Sequence, residues 1–459
     1  MKTIFITIFE GVEGKNIIRT GVLDHLLKDA SISVVLLVKD TLRVLYYQKT
    51  LTHPRIKFEV AGIFSLSRAD RVLSKTRYIF LHTPSTVEQM RILREQEGSN
   101  IKYIARRVRS FVVSNRLAVA IIRYAESFVR TAHFRELFDR YKPSLVVAAD
   151  PFEDREAILI REAKQAGIRT LVFLNTWDRI TARSIIRTLP DRLVALNSEL
   201  KKDVVRYHFI SPKRLEVCGV PQYDLYFRPP SISRNDFMRS IGVSPRSRVI
   251  IYAPIGGAVT DSEWEMIDCM QSMTNDGAFG NDIVLLVRFA PNDSVKEDEL
   301  RKRPGLLYQL PGKRFFTSRG TGSDWELTKD DMAHLYATLR SSSLLVAYAT
   351  SLSIDAVVAG IPVINIGFEL EAFAKRGTHN FTKLPTRRYR WHHYKRALQT
   401  GAIRLVESRE KLIEWTKRYL GEPETDAAER SALKKAQCEF LDGRSAERLA
   451  TIIREDYLS

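Results

Sequence analysis

The feature that most constrains this chain is an alternation, run twice, of short β-branched stretches and amphipathic helical stretches. Parallel strands need a crossover helix between them and are buried on both faces, so they read as near-continuous apolar runs. In the first half, residues 4–9, 32–38, 145–149, 170–174 and 192–196 read as strands of this kind, and a helix ends near Gly167. The segment Phe227-Arg228-Pro229-Pro230-Ser231-Ile232-Ser233 then interrupts the pattern in the manner of a linker. Beyond it the alternation restarts, with strands over 249–253, 283–287, 344–347 and 362–366 and helices from about 262, over 331–340 and over 353–359. At 459 residues the chain is too long for one ordinary core. The expectation is an α/β protein with two Rossmann-like, doubly wound domains facing a cleft. The domains are placed at 1–228 and 229–425, with a polar amphipathic helix over 426–459.

Charge is the compositional outlier. Lys plus Arg at 72 against Asp plus Glu at 54 gives +18, which points to an anionic partner. Twelve Lys/Arg against five Asp/Glu fall between Arg91 and Lys142, interleaved with apolar residues at helical spacing from Ile101 to Phe128. Two readings compete there: a basic amphipathic surface for an anionic membrane, or a core-facing stripe with a solvated basic back. No zinc-finger, helix-turn-helix or RNP-like pattern accompanies the charge, so no nucleic acid is expected. Cys218, Cys269 and Cys438 stand far apart, which implies neither a disulfide framework nor a zinc site and suits a reduced, cytoplasmic setting. His392-His393 lacks metal-site spacing and reads as surface, so no metal is expected. The first nine residues read as a buried strand rather than a signal peptide, and no run is long enough to span a bilayer. Any membrane contact would be peripheral.

In doubly wound sheets ligands bind beyond the carboxyl ends of the strands. The loop at residues 253–258 carries Gly256 and Gly257, whose backbone amides can approach a pyrophosphate ahead of a helix N-terminus. Arg288 closes a strand and can pair with phosphate oxygens in a forked geometry. Thr350 and Ser351 stand at a helix N-terminus, where hydroxyls and free N–H groups hold a phosphate, and Asp355 one turn on can accept from a ribose diol. In the first half, Asp150 with Glu153 and Asp154 follows one strand, and Asn175-Thr176-Trp177-Asp178 follows the next. Asp150 and Asp178 are candidates for a base acting on a hydroxyl nucleophile, and Glu13 with Glu10, flanked by Gly11 and Gly14, is a third.

Three stretches give a family resemblance: Asn175-Thr176-Trp177-Asp178-Arg179-Ile180-Thr181, the run from Pro190-Asp191-Arg192 to Asn197, and the run from Ile210 to Gly219-Val220-Pro221-Gln222-Tyr223-Asp224. They resemble bacterial surface-polysaccharide glycosyltransferases of the GT-B fold, with their Trp-Asp turn, "PDR…V.N" strand and "V.G.P.+D" stretch. Residues 350–364 are similar to those enzymes' nucleotide-side "S…EA…G.PV" motif, with Asp355 where glutamate is common. The resemblance implies a GT-B fold whose C-terminal helix returns to the first domain. It implies transfer of a sugar from a nucleotide-sugar donor, held by the second domain, to a glycan or lipid-linked acceptor held by the first, in cell-envelope synthesis at the inner membrane face. No metal or other cofactor is implied. CDP-glycerol polymer transferases carry "R.HP" where this chain has Arg288-Phe289-Ala290-Pro291. UDP-N-acetylglucosamine 2-epimerases share the architecture and align Asp150 with a strand-end aspartate. They have "EAGLR" where this chain has Asn175-Thr176-Trp177-Asp178, and "HR.EN" at Ile255-Gly256-Gly257. Epimerase is therefore the runner-up, ahead of polyol-phosphate transfer and of a non-catalytic glycan-binding protein.

Overall fold

A computed structural model describes residues 2–62, 64–256, 259–260, 262–293, 295–315, 325–370 and 384–458. The chain divides into two compact units, one formed by Met1–Asp224 together with Asp442–Ser459, the other by Leu225–Leu441.

The first unit holds a seven-stranded sheet built from β1 (Lys2–Ile8), β2 (Ile32–Val38), β3 (Ile56–Val60), β4 (Pro143–Ala148), β5 (Arg169–Phe173), β6 (Arg192–Ala195) and β7 (Leu215–Val217). The order is β3-β2-β1-β4-β5-β6-β7, and every neighbouring pair is parallel. The apolar runs sit here because helices cover the sheet: Phe5, Val35, Leu37 and Val146 pack with Phe134, Phe138, Ile158 and Leu159. The strands β3 and β7 escape the sequence reading because they are edges, short and polar on one side, as the pattern Lys57, Glu59 and Glu216 shows. The chain after β1 is helical from Gly11: Gly11–Glu13 is a turn of α-helix that runs into a π-turn over Gly14–Ile18. Glu10 and Glu13 drive this by forming a reciprocal capping box.

The second unit repeats the plan with β8 (Arg248–Ala253), β9 (Ile283–Arg288) and β10 (Leu307–Gln309), a two-residue ribbon pair β11 (Lys313–Arg314) and β12 (Trp325–Glu326), then β13 (Ser342–Ala347), β14 (Val363–Ile366) and β15 (Arg404–Val406). Its parallel sheet has the order β10-β9-β8-β13-β14-β15. Ile250, Tyr252, Leu285, Val287, Leu344 and Val346 bury against Met266, Met270 and Tyr419.

The expected single helix over 426–459 is corrected to two. Ala427–Cys438 belongs to the second unit, where it packs on Leu352–Ala359, and only Ser445–Leu458 belongs to the first. The last helix is fixed at its N-terminus by Asp224, whose two carboxylate oxygens accept from Ser445 N–H (2.9 Å) and Ala446 N–H (2.8 Å). The aspartate that ends the "V.G.P.+D" stretch is thus a helix cap supplied from a distance. His393, expected at the surface, is buried. Cys218 and Cys438 are buried free thiols and Cys269 is a half-buried one. No helix among the described residues is long and apolar enough to cross a membrane.

Candidate functional site

In the first sheet the strand order reverses between β1 and β4, which run side by side with Ile6 opposite Val147. Crossovers leave these strands in opposite directions, so the loops beyond them part and expose backbone at a switch point. Glu10 follows β1, and Asp150 and Glu153 follow β4. Their carboxylate oxygens lie within 4.8 Å of one another. Arg179 holds the group together, donating from Nη2 to Glu10 Oε2 at 2.5 Å and from Nη1 to Asp150 Oδ2. Asp150 is 1% exposed, and its Oδ1 accepts from Phe152 N–H at 3.1 Å.

Two further carboxyls lie beneath. Glu156 Oε2 accepts from both Ala149 N–H and Asp150 N–H at 2.7 Å, which fixes the turn that carries Asp150. Glu13 Oε2 accepts from Phe9 N–H and, at 3.1 Å, from Glu10 N–H. Burial pushes both carboxyls well up, and for Glu13 the neighbouring Glu156 and Glu10 charges add to the effect. Glu13 has no exposed surface, and its carboxyl fixes the turn after β1 through these two backbone bonds. Asp178 starts the short helix Arg179–Ala182 after β5 and is half-buried. Its carboxylate forms no hydrogen bond or ion pair among the described residues, so it stays available to a hydroxyl. Asn16 Nδ2 donates to Asn175 C=O at 3.1 Å, tying the turn after β1 to the turn after β5.

The second sheet reverses between β8 and β13, where Ala253 lies opposite Ala347. Gly256 and Thr350 each stand three residues beyond that pair. Gly256 has φ +94°, a conformation only glycine takes without strain, and a Cβ placed there would lie 3.2 Å from Asp293 Oδ1. Its N–H donates to Glu263 Oε2 at 2.6 Å, and burial, with the nearby Asp293 charge, pushes the Glu263 carboxyl up to about 8. Gly257 lies outside the described residues. Ser351 occupies the N-cap position of the helix Leu352–Ala359 without a side-chain cap bond, and the residue is exposed. The Leu352 N–H is met instead, at 3.4 Å, by Thr350 Oγ1.

Arg288 ends β9 with 6% exposure and donates from Nη1 to Gln309 Oε1. Burial lowers its pKa to about 10, and the nearby Tyr226, Asp331 and Asp355 oppose that shift, so it remains a cation at neutral pH. Asp355 Oδ1 accepts from Tyr226 O–H at 2.7 Å. Arg288, Gln309, Asp331 and His334 line a cavity of about 530 Å³ floored by Leu286. The structure thus brings Arg288 and Asp355 into one polar group, and sets Gly256 and Thr350 on adjacent strand ends.

The sequence reading missed Arg179, Glu156, Glu263 and Tyr226. Arg179 is one arginine among many and shows its role only through two distant acids. Glu156 and Glu263 read as first-turn helix acids, which they are, but their buried bonds to preceding loops are tertiary facts.

No protein-family model matches the chain, and no curated protein matches its sequence. Solved structures do resemble it. UDP-GlcNAc 2-epimerase from Neisseria meningitidis bound to UDP-GlcNAc is similar at 12% identity, covering 100% of both chains with a TM-score of 0.55. UDP-GlcNAc 2-epimerase from Methanocaldococcus jannaschii is similar at 13% identity over 99% of this chain and 100% of that one, with a TM-score of 0.52. A glycosyltransferase from Rickettsia africae is similar at 11% identity over 100% and 99%, with a TM-score of 0.50. Two parallel α/β sheets of seven and six strands, matched over essentially full length by such proteins, show that this chain has the GT-B fold.

Proposed function

We propose that the protein is a glycosyltransferase that moves a sugar from a nucleotide-sugar donor to a glycan or lipid-linked acceptor. The observation that carries this reading is the chemical split between the two switch points. In the second unit, a glycine turn, an uncapped hydroxyl at a helix N-terminus and a buried strand-end cation suit a nucleoside diphosphate. In the first unit, acids held around Arg179 suit hydroxyls of an acceptor and would repel phosphate. The Neisseria relative is described as bound to a nucleotide-sugar, and the Rickettsia relative as a glycosyltransferase.

In this reading Gly256, Gly257, Thr350 and Ser351 receive the diphosphate through N–H and O–H donors, and Arg288 compensates charge that grows on it as the glycosidic bond breaks. Asp355 serves the donor's ribose hydroxyls. Asp178 takes the acceptor hydroxyl's proton, with Asp150 orienting that hydroxyl from its fixed place on Arg179. A 2-epimerase-like reaction is the second reading, favoured by the names of two of the similar structures.

The test is a panel of UDP-, GDP- and CMP-sugars scored for nucleotide release with and without glycan acceptors. Acceptor-dependent release is expected, and Asp178→Asn should lower kcat by about 10²- to 10⁴-fold with KM for donor little changed. Interconversion of UDP-N-acetylglucosamine and UDP-N-acetylmannosamine without any acceptor would install the second reading.

A further inference from the structure

Two consecutive helices of the first unit, Asn100–Val113 and Arg116–Phe128, turn their apolar sides outward. On the first, Ile101, Ile104, Val108, Phe111 and Val112 are 56–82% exposed, while the buried position is Ser110. On the second, Leu117, Ile121, Tyr124 and Phe128 are 60–71% exposed, and the buried positions are Val119, Ile122 and Glu126. Spacings of three and four gather each exposed set on one side of its helix, opposite the buried set. Glu126 accepts from Arg161 at 2.9 Å, and Arg161 also holds the buried Asp70 at 2.6 Å. An acid faces the protein while phenylalanines face outward, the reverse of what folding of this unit alone selects. The core-facing reading of this stripe is thereby corrected.

Cations flank the stripes. Between Asn100 and Arg130 the chain has seven Lys/Arg and one acid, the buried Glu126. Helical spacing puts Arg107 on one flank of the first stripe and Lys102 with Arg109 on the other. Arg109, Arg116 and Arg130 form no ion pair among the described residues. A symmetric contact between two copies would set this patch against itself and oppose arginine to arginine, which is unfavourable. An anionic bilayer accepts both parts at once, the apolar stripe at the acyl boundary and the flanking cations at the lipid phosphates.

We propose that these two helices lie in the headgroup layer of an anionic bilayer and dock the protein there. The proposal is independent of the reaction assigned above, and its readout is not activity. The test is flotation of the full chain with vesicles of phosphatidylcholine alone and of phosphatidylcholine mixed with phosphatidylglycerol. Binding is expected to the mixed vesicles, weakening with added salt. The double substitutions Phe111→Glu/Ile121→Glu and Arg109→Glu/Arg116→Glu should each lower the bound fraction at least about tenfold. All four positions are exposed, so unchanged circular dichroism and thermal midpoint certify the fold of each variant. Failure to float with either vesicle overturns the proposal. So does survival of binding in Phe111→Glu/Ile121→Glu, which would mean adsorption by charge alone. A dimer in sedimentation velocity that Phe111→Glu/Ile121→Glu dissolves would make the face a subunit interface instead.

Discussion

The two switch points share a topology and differ in chemistry. In each sheet the strand order reverses between two central parallel strands, and in each unit an arginine stands near the strand ends, Arg179 half-buried in the first and Arg288 buried in the second. Arg179 in the first unit is committed to two carboxylates, whereas the hydrogen bond of Arg288 in the second goes to a neutral amide, Gln309. The one is a structural clamp, and the other, in the proposed reading, keeps its charge for the donor's diphosphate. The scaffold therefore decides where chemistry happens, and the side chains decide which chemistry it is.

The comparison breaks most readily by removing the clamp. Arg179→Met leaves Asp150 buried without its counter-ion and should cost about 3–5 kcal/mol in thermal or urea unfolding. Arg288→Met should cost clearly less stability but weaken nucleotide binding by roughly 10- to 100-fold in calorimetry, because charge-assisted bonds to phosphate are lost. Equal stability losses, or unchanged nucleotide affinity, would erase the distinction.

Titration offers a second contrast. His208 in the first unit is fully buried, accepting from Ile186 N–H at 3.1 Å through Nδ1 and donating to Ile180 C=O at 2.8 Å through Nε2. Burial lowers its pKa from 6.5 to about 4, so the unfolded chain binds a proton that the folded one refuses. That contribution is complete above pH 6.5 and fades as pH falls to 4, a loss of about 3 kcal/mol. Glu263 in the second unit has the opposite sign. Its pKa rises from 4.5 to about 8, so its contribution is complete below pH 4.5 and is lost as pH climbs through 8. Urea midpoints across this range should fall at both ends, with His208→Gln flattening the acid limb and Glu263→Gln the alkaline one. The smallest expected effect is Gly256→Ala. Strain at φ +94° and the approach to Asp293 should cost about 1–2 kcal/mol and distort the turn, readable as a lower thermal midpoint and weaker nucleotide binding.

Much of the fold was legible because central parallel strands are buried on both faces and announce themselves as apolar runs. The strand read over 32–38 coincides with β2, and β1, β4, β8 and β9 differ from their readings by two residues or fewer at each end. Edge strands such as β3 and β15 were not legible, since Lys57 and Glu59 alternate through the first and the second is only three residues long and opens on Arg404. Strand-end residues such as Asp150, Arg288 and Thr350 could be nominated from their places after such runs. Their partners could not, because Arg179 reaches Glu10 across 169 positions of sequence and Tyr226 reaches Asp355 across 129.

By itself the sequence determined the class of fold and nominated strand-end loops as candidate sites, because periodicity and strand ends are local properties. Which way an amphipathic helix turns is not local. The stripe from Ile101 to Phe128 has the spacing of a core-facing helix pair, and only the packed unit decides that the opposite side faces inward, with Val119 and Ile122 in an apolar cluster and Glu126 on the buried Arg161. Burying an acid is favourable only where a distant arginine is already held to receive it, and that arrangement exists in three dimensions alone.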